Sequence, residues 1–97
     1  MNFIGQYCII RSDRAGVFAG TVEEHNGQEV LLKNVRRLWY WDGAASISQI
    51  AVEGVTCPNN CRFTMPVDTL GLYDVIEIIP ATEKARENIE GVKIWKI

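Results

Sequence analysis

The sequence predicts a mainly β (α+β) fold: a small twisted antiparallel sheet or partly closed barrel with one or two short helices. Three observations predict it. Runs of strand length, rich in β-branched and aromatic residues, recur at 6–11, 17–24 and 28–35. Asn26-Gly27 lies between two of these runs, and Asn-Gly supplies the positive φ that a two-residue hairpin turn requires. Helical spacing is confined to two short stretches, near 45–53 and 83–90.

Gln6 to Arg11 reads as the first strand, and Ser12 to Gly16 as a turn suited by Asp13 and Gly16. With Asn26-Gly27 at the centre of the hairpin, Val22 is expected opposite Leu31 and Glu24 opposite Glu29. The second hairpin strand runs on through Arg36-Arg37-Leu38-Trp39-Tyr40-Trp41 to Asp42-Gly43. Ile47, Ile50, Ala51 and Gly54 then repeat at the spacing of one helical face, with Ser46 and Gln49 in a capping-box pattern and Gly54 past the end. Cys57 to Cys61 reads as a turn, and Arg62 to Val67 as a short edge strand limited by Pro66. Leu70 to Ile79 is the most apolar run and is expected to be one buried strand, ended by Pro80. Thr82 is placed to cap a helix over 83–90 with an Arg86–Glu90 pair, leaving Val92 to Ile97 as a last strand or a tail that packs Trp95.

A chain of 97 residues holds one domain, 1–97, and its 47% hydrophobic and 23% charged residues are ordinary for a globular protein. A net charge of −2 gives no general attraction to long nucleic acid or to acidic membrane surfaces. No run reaches the roughly 18 apolar residues of a membrane helix, and Met1 to Gly5 carries no basic leader. Three cysteines, Cys8, Cys57 and Cys61, fit reduced thiols in a cytoplasm. The core of so small a chain is modest, and a homo-oligomer would bury more.

Catalytic machinery is hard to assemble from these residues. The one histidine, His25, sits beside the hairpin turn, and no phosphate loop or dinucleotide fingerprint occurs. Cys57-x₃-Cys61 has tolerated zinc spacing, yet a second close ligand pair is missing, so no metal and no other cofactor is expected. No catalytic residue is assigned, and the chain is read as a non-enzyme.

The informative stretch is Arg36 to Ser46. On a regular strand Trp39 and Trp41 point to one face and Leu38 and Tyr40 to the other, so one face presents large rings beside an arginine. Rings stack on planar bases, and guanidinium groups hold phosphates. Gly43, Ala44, Ala45 and Ser46 would bring backbone N–H groups at a helix start close to an anion. Arg11, Arg36, Arg37, Trp39, Trp41 and Gly43 to Ser46 are therefore the candidate ligand-binding residues. The alternative is that the tryptophans fill the core and the arginines are solvated.

Arg11 to Gly20, Arg36-Arg37-Leu38-Trp39-Tyr40-Trp41-Asp42-Gly43-Ala44-Ala45-Ser46-Ile47-Ser48-Gln49 and Ile76 to Pro80 resemble a family of small phage-encoded proteins of unknown function. The resemblance implies a phage accessory protein made in the cytoplasm of an infected bacterium. By analogy with other small phage proteins, it implies one that binds and sequesters a nucleotide-derived immune signal, of cyclic-nucleotide or ADP-ribose type, without cleaving it. The alternative is a protein-interaction or structural phage module that uses the aromatic face as its interface.

Overall fold

A computed structural model describes residues 1–97. Six strands form one antiparallel sheet: β1 (Tyr7–Ser12), β2 (Gly16–Asn26), β3 (Glu29–Tyr40), β4 (Arg62–Phe63), β5 (Val67–Leu72) and β6 (Val75–Pro80). Helix α1 (Ile47–Glu53) follows β3, and helix α2 (Glu83–Gly91) follows β6. The strand order is β4-β3-β2-β1-β6, with β5 paired to the first half of β3 and β4 to its last residues.

This topology forces curvature. Strands β5 and β6 lie at opposite edges of β3-β2-β1, a span of about 19 Å if the sheet were flat. Only Tyr73 and Asp74 join them, and so short a link reaches roughly 10 Å. The sheet therefore curls into a partly open barrel in which β5 and β6 meet without pairing. Its concave side is filled from all five long strands by Cys8, Ile10, Phe18, Val22, Val30, Leu32, Val35, Leu72 and Val75. A second cluster lies on the outer face, where Tyr7, Ile9, Ala19 and Leu38 meet Ile50 and Ala51 of α1 and Ile89 of α2. Alternate residues of β1 serve the two clusters, so Tyr7 to Ile10 is buried without a break.

Both helices carry the expected caps. Ser46 Oγ accepts from the Gln49 N–H and Thr82 Oγ1 from the Ala85 N–H, while Gly54 closes α1 at φ +80°. The Gln49 side chain reaches back to the N–H of Ala45 rather than that of Ser46. Arg86 and Glu90 pair at 3.1 Å on α2.

Two expectations are corrected by the strand pairing. The hairpin exists, but Asn26 pairs with Glu29, Glu24 with Leu31 and Val22 with Leu32, so Gly27-Gln28 is the turn, Glu24 does not face Glu29 and Val22 does not face Leu31. Gly27 alone has positive φ, at +62°, which fits a turn with glycine at the first central position. The apolar run 70–79 is two strands rather than one. It breaks at Asp74, whose carboxylate accepts from the Ser12 hydroxyl and from the Arg14 N–H and guanidinium, fastening the turn to the β1–β2 loop.

Candidate functional site

The site is set by two irregularities in β3. At the first, Asn34 and Val35 stand opposite Gly20, with Asn34 at φ +49°. The extra residue lets Leu32 and Val35 both face the barrel interior, and it turns Arg36 and Leu38 toward the helices. Gly20 is needed there, since a Cβ would lie 2.8 Å from Val35 Cβ. At the second, Leu38 pairs with Phe63 and Tyr40 with Arg62, leaving Trp39 as the extra residue. Strict alternation therefore fails: Trp39 and Tyr40 are both about half exposed, at 54% and 50%, while Trp41 packs against the helix-side core.

The pair Arg36-Arg37 divides in the same way. Arg36 is 3% exposed, and its guanidinium donates to the carbonyls of Phe63, Thr64, Ile89 and Val92 at 2.9–3.1 Å. It ties the C-terminal end of α2 to β4 and has no face left for a phosphate. Arg37 is exposed, lies 4.8 Å from the Phe18 ring and has no acidic partner.

The chain after α2 completes the cluster. Ile94 bridges to Phe63, and the Trp95 N–H donates to the Phe63 carbonyl at 2.9 Å. This lays Trp95 on Trp39, with ring centroids 4.9 Å apart and planes at 25°. Arg62 stands over the group, its guanidinium 5.5 Å from Trp39, 5.9 Å from Tyr40 and 5.7 Å from Trp95. No carboxylate pairs with Arg62. On one side of the stacked tryptophans a shallow hollow of about 310 Å³ is lined by Arg14, Arg37, Trp39 and Trp41. On the other, one of about 490 Å³ is lined by Tyr40, Asp42, Asn59, Asn60, Arg62 and Trp95.

The remaining expected residues lie apart from the cluster or have other roles. Arg11 pairs with Glu77 at 3.6 Å and lines neither hollow beside the aromatic group. Gly43, at φ +93°, is wedged against Thr56 and Cys57, and its carbonyl accepts from the Thr56 N–H and hydroxyl. Ala44 packs on the core, the Ala45 N–H is bonded to Gln49 at 2.8 Å, and Ser46 is the helix cap. Of the expected row of anion-binding N–H groups, that of Ala45 is thus taken by Gln49, while Gly43, Ala44 and Ser46 serve the local fold through carbonyl, side chain and hydroxyl. Cys8 lies in the barrel interior, where burial pushes its thiol up to about 11, while His25 is at the hairpin end, and neither is brought to Cys57 and Cys61. No group of three or more His, Cys, Asp or Glu is placed to hold a metal.

The roomiest hollow, about 580 Å³, lies at the hairpin end and is lined by Ile4, Glu24, His25, Glu29 and Tyr73 among others, with no lysine or arginine. It does not suit an anion. The aromatic cluster does, and sequence reasoning missed three of its members, among them Tyr40, which strict alternation sets on the face opposite Trp39. Arg62 sits in a strand of two residues, and Trp95 in a tail without periodicity, so only the pairing with β3 brings them to Trp39.

A family model for a domain of unknown function (DUF6948) matches residues 5–89. The chain belongs to this family. The matched span includes Trp39, Tyr40 and Arg62 and stops short of Trp95. No curated protein and no solved structure matches the chain. No helix is long and apolar enough to cross a membrane.

Proposed function

We propose that the chain is a non-catalytic binding module that captures a small nucleotide-derived signalling molecule, of cyclic-nucleotide or ADP-ribose type, and holds it without cleaving it. The observation that carries this reading is Arg62: an exposed guanidinium within 6 Å of three ring centroids, with no carboxylate to neutralise it. Exposed rings give a base a stacking platform, and the free guanidinium gives a phosphate its partner. Arg37, in the hollow across the stacked tryptophans, supplies a second unpaired cation. Both hollows are open, so retention of a ligand calls for a second copy of the chain closing over the face, and we propose a homo-oligomer for that reason. The biological role proposed, a phage protein that withholds an immune signal in the infected cytoplasm, rests on the motif resemblance.

The test is a thermal-melting and calorimetric panel of cyclic mononucleotides, cyclic dinucleotides and cyclic ADP-ribose isomers, with scattering to count subunits. At a hundredfold excess over Kd a bound ligand adds about 2.7 kcal/mol of stability. Trp39→Ala and Arg62→Ala should each weaken binding about tenfold or more while the ligand-free melting temperature holds near that of the parent. Intact ligand should be recovered after the complex is heated. No stabilisation by any member of the panel overturns the reading, and a self-association that Trp39→Ala abolishes would then assign the aromatic face to protein contact.

A further inference from the structure

We infer that the base taken by this site is guanine, read along its Watson–Crick edge by the carboxylate of Asp42. The inference rests on the nucleotide-binding reading and narrows it. Asp42 lines the same hollow as Tyr40, Arg62 and Trp95, so a base stacked on these rings lies beside its carboxylate. The residue is held from several directions. Its backbone N–H and carbonyl both contact the Cys61 thiol at 3.5 Å, and its Oδ2 accepts from Asn60 Nδ2 at 3.1 Å. Its other oxygen, Oδ1, has no partner within the chain, and no lysine or arginine pairs with the carboxylate. A preset acceptor beside a stacking platform and a free guanidinium is an arrangement that selects among bases.

Hydrogen-bond chemistry then decides which one. An ionised carboxylate has acceptors only, two oxygens side by side. Guanine is the common base whose Watson–Crick edge offers two adjacent donors, N1–H and the 2-amino group. Adenine and cytosine each set a ring-nitrogen lone pair beside their amino group, and uracil flanks its single N–H with carbonyls. Each of these three turns a lone pair toward the carboxylate and leaves an acceptor unpaired. Asn60, which keeps its carbonyl oxygen free, holds the carboxylate without neutralising it. Arg62 remains to meet the phosphate.

The experiment is calorimetry on the full chain with cyclic GMP, cyclic IMP, cyclic AMP and cyclic XMP, and with the guanine and adenine cyclic dinucleotides. The guanine compounds should bind about tenfold or more tighter than their adenine counterparts, with cyclic IMP between them because it lacks the 2-amino group. Asp42→Asn should lose the guanine preference and gain affinity for cyclic XMP, since an amide donates to the 2-carbonyl of xanthine and accepts from N1–H. Circular dichroism melting reports whether the variant folds, and the order of guanine, hypoxanthine and adenine in the parent chain needs no variant. Binding of adenine and guanine compounds with equal affinity, or adenine first, overturns the assignment to Asp42 and leaves the nucleotide-binding reading standing. Binding of the panel's cyclic ADP-ribose isomers alone likewise overturns the assignment to guanine, and binding of none of these compounds overturns the nucleotide-binding reading itself.

Discussion

Two adjacent arginines show how little a residue's type fixes its role. Arg36 and Arg37 differ by one step along β3, and the extra residue at Asn34 sets Arg36 on the helix side, buried against four carbonyls, and leaves Arg37 exposed. Burial alone disfavours the charged guanidinium, lowering its affinity for the proton, and the carbonyls of β4 and of the end of α2 offset that cost. Arg36→Ala is expected to destabilise the fold by about 3 kcal/mol or more, because buried carbonyls lose their donor. Arg36→Lys should recover only part of this, since one ammonium cannot reproduce the spread of a guanidinium. Arg37→Ala should move stability by about 0.5 kcal/mol or less, as exposed positions do. Urea titration of the three variants checks the order, and equal losses at Arg36 and Arg37 would contradict the buried role. Asn88 is a second residue of this kind: its side-chain amide accepts from the Val55 N–H at 2.8 Å and donates to the Val55 carbonyl at 3.0 Å, clasping α2 to the end of α1. Asn88→Ala should cost about 1–3 kcal/mol by the same titration.

Among the elements, the β5–β6 turn depends on pH. Asp74 is held below the usual carboxylate range first by the Ser12 hydroxyl and then by the Arg14 N–H and guanidinium. A carboxyl depressed in the folded state stabilises it above the unfolded value, about 4, and that contribution is lost as pH falls through the folded value. The stability gap between the parent chain and Asp74→Ala is therefore expected to hold from pH 7 to about 5 and to narrow below about 4. Urea midpoints across that range measure it, and a gap independent of pH would remove Asp74 from the latch. The helices were legible because caps and spacing are local: Ser46, Gly54 and Thr82 act where their neighbours predict. The break at Tyr73-Asp74 was not, because the partner that stabilises it, Ser12, lies far away in sequence. The candidate site was legible in part for the same reason. Trp39 and Arg37 stand out from the strand pattern, whereas Arg62 and Trp95 gain their meaning from β4 and the tail pairing beside β3.

For the whole molecule, the consequence of an unclosed barrel is a seam. Strands β5 and β6 meet at their shared turn and make no ladder with each other, so the interior cluster is sealed by side chains along that line. β6 stands between the seam and β1, and on its β1 side Pro80, a residue that brings no N–H to the ladder, pairs with Cys8. Thiol chemistry reads how well it stays shut. Cys57 is half-buried, Cys61 is buried beneath Asp42, and Cys8 is fully buried in the interior. Burial also holds the Cys61 and Cys8 thiols in the protonated, unreactive form, with Cys8 at about 11. Alkylation of the native chain near pH 8, followed by peptide mass spectrometry, should modify Cys57 first, Cys61 later and Cys8 only at the rate of global unfolding. Modification of Cys8 well ahead of the loss of circular dichroism would mean that the seam between β5 and β6 opens in the native state. Protection of Cys8 to the global limit would mean that nine apolar side chains keep the interior sealed where backbone pairing does not.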